Sequence, residues 1–309
     1  MTPSPTCFAD NVRPDLFDRE PFLFKHKLLG HPALEMANLV RMIPTLPDWQ
    51  VHSSSGKLKR SDDFERADKD HATGMTIEET LDSMKTTNSY VMVREPDRDG
   101  SFHPLYKSLL ADVHGVLKAC GMANQANEPK MYLFLSSPDS VTPFHIDRYT
   151  NFLMQFQGSK RISVFPKWDE RVMTAAARES LVAYSGQRPV WTPEIEPFGT
   201  AYDFQPGDAL HIPFVAGHHV RNGPDEVSIS LSLFFKTDEN LRLTDAMVFN
   251  DMLRRRGIDL RGVGQSPVRD HLKAGAWRAA RLAARHATKI GAIGALGAAG
   301  AGAFAMMVD

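Results

Sequence analysis

"TPFHIDRYTNF" occupies residues Thr142–Phe152 and decides how the rest of the chain is interpreted. Its apolar residues predict a buried β-strand, yet it contains a histidine and an aspartate two positions apart. Side chains alternate across a strand, so His145 and Asp147 lie on the same face. Two ionisable groups side by side in a core are costly unless something binds them. The stretch therefore predicts a strand whose polar face belongs to a binding site.

The composition of the whole chain is that of an ordinary globular protein. Its 309 residues include 42% hydrophobic and 24% charged side chains, and 36 Lys and Arg nearly balance 37 Asp and Glu. This balance gives no reason to expect nucleic acid as a partner. The two cysteines, Cys7 and Cys120, exclude a disulfide scaffold and fit a reducing compartment. Because the N-terminus lacks a basic segment followed by an apolar one, we expect no signal peptide and a cytoplasmic location.

Turn residues and apolar periodicity divide the chain into four segments. Residues 1–125 predict a mixed α and β flank, and residues 126–240 contain many short strands separated by turn residues. Short strands at this density predict a sandwich or a barrel. One long insertion, 167–203, interrupts these strands. Residues 241–289 have a helical pattern, and residues 290–309 form an apolar tail rich in Gly and Ala.

Histidines downstream of His145 and Asp147 supply further candidate ligands. They are His211, His218 and His219, within "PGDALHIPFVAGHHVRNG". A histidine and an aspartate on one strand could simply hydrogen-bond each other. Two histidines and one carboxylate, however, are the facial ligand set of non-haem Fe(II) oxygenases, with positions open for cosubstrate and O₂. We therefore predict an iron site, and interpret His211 as a core histidine rather than a ligand.

Lys160 provides a second and independent signal. It follows the Gly158 turn on the next predicted strand, where alternation places it on one face with Ile162 and Val164. If that face is the interior of the barrel, the ammonium group is buried and needs an anionic partner. No carboxylate lies nearby in sequence, so the carboxylate of a bound cosubstrate is the expected partner.

The stretch Val141–Pro166 resembles, without a gap, the core of JmjC-type, cupin-fold 2-oxoglutarate oxygenases. It is especially similar to the protein-hydroxylase branch, which includes the asparaginyl hydroxylase acting on hypoxia-inducible factor. The later stretch "PGDALHIP…HHVRNG…ISLSLFFK" fits the second half of that core, so the resemblance covers roughly residues 130–240. It implies a mainly β fold with helical flanks, namely a double-stranded β-helix or jelly roll.

The resemblance also implies which side chains bind the metal. His145 and Asp147 correspond to the first two iron ligands. His218 corresponds to the third, because the family places that ligand two residues before a Val or Ile, here Val220. His219 would then point to the opposite face of the strand.

Four further residues correspond to positions that bind the cosubstrate. Thr142 resembles a hydroxyl that helps to hold 2-oxoglutarate, and Lys160 resembles the residue that binds its distal carboxylate. Asn151 matches a polar residue beside the iron. Ser232 stands where the hydroxylase branch often has an asparagine, which leaves the role of this serine open.

The resemblance implies an Fe(II)- and 2-oxoglutarate-dependent dioxygenase that uses O₂ and hydroxylates a peptide or protein side chain. Ala216 and Gly217 replace an aromatic pair that often precedes the third ligand, which predicts a wide entrance. Two alternatives stay open. One is a hydroxylase of the same mechanism acting on a small metabolite, with the 167–203 insertion as a lid. The other is a non-catalytic cupin that binds or regulates.

The C-terminal part of the chain raises hypotheses about partners. From Ile290 to Val308 no residue is charged, and a basic amphipathic stretch precedes this run. Nineteen uncharged residues approach the length of a membrane span, but Gly and Ala dominate them. The pattern predicts a self-packing tail, a weak membrane contact or a helix-dimer face of small residues. A homodimer through the helical flanks, as in the hydroxylase branch, is a further hypothesis.

Overall fold

The computed structural model describes residues 6–9, 11–63, 67–122, 125–186 and 189–291. In these ranges the strands are β1 Phe22–Lys25, β2 Val51–Ser55, β3 Ser89–Arg94, β4 Asn127–Ser136, β5 Val141–Ile146, β6 Thr150–Gln157, β7 Lys160–Val164, β8 Thr200–Phe204, β9 Asp208–Ile212, β10 Gly217–Asn222 and β11 Ser228–Lys236. The α-helices are α1 Met36–Met42, α2 Ala67–Asp70, α3 Ile77–Ser83, α4 His103–Ala119, α5 Ala175–Val182, α6 Asp238–Arg254 and α7 Pro267–Gly291.

The strands from β4 to β11 form a double-stranded β-helix. A smaller sheet has the order β5-β10-β7-β8, and a larger sheet contains β9-β6-β11-β4 in its centre. Within each of these two sheets, the neighbouring strands pair in antiparallel fashion. Because the chain repeatedly crosses from one sheet to the other, the two sheets face each other around a pocket. The predicted jelly roll with helical flanks is confirmed.

Three strands from the N-terminal flank extend the larger sheet, whose full order is β1-β9-β6-β11-β4-β3-β2. Strand β2 contains His52 and three serines, a composition that hydrophobic alternation does not mark as a strand. It pairs only with β3, at the edge of the sheet, where a polar strand is tolerated. Strand β8 lies at the end of the predicted 167–203 insertion and completes the smaller sheet.

Alternation gives the larger sheet two chemically different faces. On β4 and β11, Leu133, Leu135, Leu231 and Leu233 are fully buried against the N-terminal helices. Each such leucine contributes on the order of 1.5–3 kcal/mol. The intervening residues on the same strands, among them Ser230 and Ser232, line the pocket between the sheets. One face therefore stabilises the fold, and the other is free to carry polar chemistry.

The C-terminal helices pack on the outer side of the smaller sheet. Helix α6 begins with a capping box, in which Thr237 and Asn240 accept each other's backbone N–H groups. Its apolar residues Leu243, Ala246 and Met247 share a core with α5 and the start of α7. Among the helices of the described ranges, none combines the length and the apolar character needed to cross a bilayer.

The turn between β6 and β7 depends on Gly158, which has a positive φ of 67°. A Cβ at this position would lie 2.9 Å from the Val227 carbonyl oxygen and 3.1 Å from the Ser228 Cα. Gly30 also has a positive φ, of 75°, but a Cβ there would meet no atom within 4 Å. The two glycines therefore separate backbone strain from steric overlap.

We expect Gly30→Ala to cost about 1 kcal/mol of unfolding free energy, from backbone strain alone. Gly158→Ala should cost about 2–3 kcal/mol, because overlap with the backbone of β11 adds to the strain. Urea unfolding of the two variants measures both values. Equal losses of unfolding free energy in the two variants would show that the β6–β7 turn moves away from β11 without an energetic cost.

Candidate metal centre

Three side chains with metal-binding atoms converge in the pocket between the sheets. His145 lies near the end of β5, Asp147 directly follows that strand, and His218 on β10 is the register partner of His145. The Asp147 carboxylate is 3.9 Å from His145 Nε2 and 3.6 Å from His218 Nε2. All three ligand atoms lie within 4.8 Å of one another. Two atoms bound to one ion at about 2.1 Å are at most about 4.2 Å apart. Both carboxylate–imidazole distances are below this limit, so the three side chains can converge on a single ion.

Both imidazoles are held with Nε2 facing the carboxylate. His145 Nδ1 is 2.8 Å from the Pro143 carbonyl oxygen, and His218 Nδ1 is 3.1 Å from that of Ala216. In the tautomer that donates from Nδ1, each Nε2 keeps its lone pair for a metal. Burial, reinforced by the neighbouring His218, lowers the pKa of His145 to about 4. His145 is thus neutral near pH 7, which is the form that binds metal.

A β-bulge brings Thr142 to the same face as His145. Three residues separate them, so a regular strand would direct them to opposite faces. Val220 pairs with Thr142, however, while His218 pairs with His145, so two steps on β10 span three on β5. The extra residue lies around Pro143, where a missing N–H is tolerated. The bulge therefore lets one short strand supply both side chains to the pocket.

Lys160 is buried in the same pocket, with 8% of its surface exposed. Its Nζ donates a hydrogen bond to Ser230 Oγ at 2.8 Å. Among the residues that the structure describes, no carboxylate pairs with it, and burial lowers its pKa to about 7. The alternation predicted for β7 is observed, since Ile162 and Val164 share its inner face. A buried ammonium beside a single hydroxyl is an anion site.

Asn151 and Ser232 complete the polar side of the pocket. Asn151 Nδ2 lies 3.4 Å from Asp147 Oδ2, and Ser232 Oγ lies 3.5 Å from Asn151 Oδ1. Both contacts are long for hydrogen bonds and leave room to adjust on binding. The structure thus places every predicted site residue in the lining of one pocket, namely Thr142, His145, Asp147, Asn151, Lys160, His218 and Ser232. Their individual roles stay predictions.

An apolar wall faces these polar groups, and the sequence analysis missed it. It consists of Tyr90, Met92, Tyr132, Phe134 and Phe234. The first two come from β3, in the N-terminal flank. Alternating aromatic residues in "SYVMVR" and "MYLFLS" were the available signal, but a buried aromatic residue on a strand is more often part of a core. Burial and the nearby Asp147 raise the pKa of Tyr90, so its hydroxyl stays protonated.

The two remaining histidines lie outside the three-residue group. His219 faces the other side of β10, as alternation predicts, and its Nε2 is 2.9 Å from Glu196 Oε2. His211 is fully buried, and burial lowers its pKa to about 4. Its Nε2 accepts the Asp18 backbone N–H at 2.9 Å, so Nδ1 carries the proton and faces the Asn151 carbonyl oxygen at 3.3 Å. His211 is thus a core histidine beside the site.

Asp18 joins the N-terminal flank to the segment that precedes His218. Its carboxylate accepts hydrogen bonds from the Phe214 N–H and from Asn240 Nδ2, both at 2.7 Å. Lys167 Nζ lies 3.6 Å from the same carboxylate. A lone aspartate in a polar N-terminal stretch gave no sign of this role, because its partners lie about 150 or more residues away in sequence.

One expectation about the entrance of the pocket is wrong, and a second is untested. Gly217 does not widen the entrance, since a Cβ there would lie 2.6 Å from the Phe144 ring, and Ala216 is buried in the inner core. No described residue of the 167–203 insertion lines the pocket, so its role as a lid stays a prediction. Its helix α5 instead packs on α6, where buried Glu179 pairs with Arg254 at 2.9 Å.

Solved structures to which this chain is similar include the ribosomal oxygenase YcfD from Escherichia coli. One YcfD structure has a TM-score of 0.49 at 15% identity, covering 84% of this chain and 62% of that one. A YcfD complex with cobalt and 2-oxoglutarate has a TM-score of 0.46 at 15% identity, covering 82% and 59%. The chain thus spans about three fifths of the length of these proteins. No curated protein sequence matches the chain.

A family model gives a more direct comparison. The model described as "Cupin-like domain" matches residues 15–240. This range includes the pocket, both sheets from Phe22 onward and the Asp18 contacts. The match covers well over half of the 309 residues, and the chain therefore belongs to the Cupin-like domain family.

Proposed function

We propose that this protein is an Fe(II)- and 2-oxoglutarate-dependent dioxygenase that hydroxylates its substrate. The observation that carries the proposal is the pairing of two incomplete sites in one pocket. His145, Asp147 and His218 form a facial group suited to Fe(II). Lys160 is buried beside Ser230, and within the described part of the chain no carboxylate pairs with it. A ligand that chelates a metal at one end and carries a carboxylate at the other would complete both the metal group and the site at Lys160. 2-Oxoglutarate is such a ligand.

The chain's own residues would bind and orient the metal and the cosubstrate, and would exclude water from the pocket. When bound, iron and 2-oxoglutarate supply the oxidising chemistry, in which O₂ is activated as the cosubstrate is converted to succinate and CO₂. Lys160 and Ser230 hold the distal carboxylate, with Thr142 as a second hydroxyl on the opposite sheet. Asn151 orients the Asp147 carboxylate. The apolar wall would exclude water from one side of the pocket.

For the substrate, we infer a peptide or protein side chain. The resemblance of Val141–Pro166 to the protein-hydroxylase branch supports this reading. It is also supported by the 167–203 insertion, whose helix α5 packs on α6 and whose described residues do not line the pocket. A small metabolite is better retained by a closed pocket. The metabolite reading stays the alternative within the same mechanism.

The test of the proposed function is Fe(II)- and O₂-dependent release of succinate from 2-oxoglutarate. Asp147→Ala is the control variant, because it removes a ligand without touching the apolar cores. Equal, measurable turnover by the parent and the Asp147→Ala protein would mean that Asp147 is not a metal ligand, whereas no turnover by either would mean a non-catalytic cupin. Mass spectrometry for a 16 Da gain then separates peptide substrates from metabolites. If only a metabolite gains 16 Da and no peptide does, the peptide hypothesis is contradicted.

Replacing the two adjacent histidines separately tests the metal group. We expect His218→Ala to weaken Co(II) or Fe(II) binding by more than about 100-fold, since even residues that only support a ligand cost 10–100-fold. His219→Ala should change metal affinity by less than about 10-fold, because its Nε2 faces Glu196. Anaerobic titration calorimetry measures both values. The reverse order would identify His219 as the ligand.

Lys160→Met keeps the length of the side chain and removes its charge. Loss of one partner from a buried pair costs about 3–5 kcal/mol, so 2-oxoglutarate affinity should fall by about 100-fold or more while metal binding persists. The thermal unfolding midpoint of the unliganded variant should rise, because an unpaired buried cation is removed. Arg161→Met is the matched control, since Arg161 on the same strand is 64% exposed. Equal effects of the two substitutions would place Lys160 outside the cosubstrate site.

Binding of 2-oxoglutarate should take up a proton in alkaline solution. With a pKa of about 7, Lys160 is mostly neutral in the unliganded protein at pH 8.5, and a carboxylate partner raises that pKa. Affinity should therefore decline as the pH rises above about 7. Calorimetry of the Mn(II)-loaded protein in buffers of different ionisation enthalpy should show uptake of about one proton, and none for Lys160→Met. A pH-independent affinity would contradict the assignment.

A further inference from the structure

Helix α7 carries an apolar surface that the pocket does not use. One of its faces packs on α6 through Ala274 and Trp277, which are 2% and 7% exposed. On the opposite face, Val268, Leu272 and Leu282 are 72%, 70% and 58% exposed. At 3.6 residues per turn, these three positions fall within one third of the helix circumference. Gly275 and Ala279 lie on the same face between Leu272 and Leu282. We call this face the outer stripe of α7.

Basic side chains border the outer stripe on both sides. Arg269 lies about a quarter turn to one side and Arg278 about a quarter turn to the other, and both are exposed. The helix contains six Lys and Arg and a single acidic residue, Asp270. Asp270 is only 3% exposed and accepts the Gly264 N–H at 2.9 Å, so its charge faces the protein interior. Asp245 on α6 pairs with Arg278 at 2.6 Å and offsets one of these charges. The six basic residues of α7 still outnumber Asp245, so the surface around the stripe has a net positive charge.

This positive region contrasts with the rest of the chain. Residues 252–309 contain ten Lys and Arg against three acidic residues, whereas residues 1–251 contain 26 Lys and Arg against 34 Asp and Glu. The balanced total charge thus conceals a strongly basic C-terminal part. The sequence continues from α7 through Ile290 to Val308 without a charged residue, which adds apolar character to the same end of the chain.

We propose that the outer stripe of α7 docks on the surface of an anionic lipid bilayer. An apolar stripe bordered by long basic side chains is the pattern of a helix that lies in the membrane interface, where Lys and Arg reach the headgroups. A second copy of α7 would instead bring two positive helices together. Nucleic acid offers phosphates for the cations but no apolar surface for Leu272. The proposal is independent of the proposed enzymatic function, because α7 lines no part of the pocket.

Vesicle flotation of the full-length protein tests this proposal. We expect most of the protein to float with vesicles of equal phosphatidylglycerol and phosphatidylcholine at 0.1 M NaCl. Binding should fall at least tenfold with pure phosphatidylcholine, and also at 0.5 M NaCl, where surface charges are screened. The double variant Leu272→Glu with Leu282→Glu should lose at least tenfold, because both charges enter the apolar stripe.

A matched variant controls for added charge and exposed apolar surface. Leu29 and Val190 are 54% and 66% exposed and lie outside α7, so Leu29→Glu with Val190→Glu should float like the parent. Circular dichroism and thermal unfolding confirm that each variant is folded. The proposal is overturned if the parent ignores anionic vesicles or if the α7 variant floats like the parent. A dimer that the α7 variant dissociates, or retention on duplex DNA, each without flotation, would assign the stripe to another partner and also overturn it.

Discussion

The pairing of β10 with its two neighbours is the interaction on which the site depends. On one side, β10 pairs with β5 and places His218 opposite His145. On its other side it pairs with β7, where Asn222 is the register partner of Lys160. One central strand thus sets the distance between the metal-binding group and the buried cation. A shift of β10 by one residue would exchange His218 for His219 and dismantle both sites at once.

The residues that stabilise the pocket lie on the opposite face of the larger sheet and not in the pocket itself. Burying the polar groups that line it is costly for folding, since a lysine and three converging ionisable side chains are removed from water. The opposite face of the larger sheet offsets this cost, because fully buried Leu and Phe residues on β4, β6 and β11 pack against the N-terminal helices. The same strands therefore carry the costly polar groups on one face and the stabilising apolar residues on the other.

The two flanks hold the pocket in place at separate points. In the N-terminal flank, Asp18 binds the backbone just before β10 and reaches the N-terminal turn of α6. It also contacts His211, whose other nitrogen faces the Asn151 backbone. On the C-terminal side, Glu179 fixes the insertion to α6 through Arg254. Buried ion pairs of this kind contribute more to a unique arrangement than to net stability, a role that we infer here from their partners' distance in sequence.

The sequence by itself determined the jelly roll and the residues of the polar site. Alternation placed His145 with Asp147 and separated His218 from His219, because a strand has a period of two residues. The same reasoning explains why Lys160 is buried. Tertiary structure alone decided the rest. A bulge rotated Thr142 into the pocket, β3 supplied Tyr90, and Asp18 found partners far along the chain. Gly217 makes room for Phe144 instead of opening the entrance. These features depend on contacts between segments distant in sequence, and local periodicity carries no information about which distant segments meet.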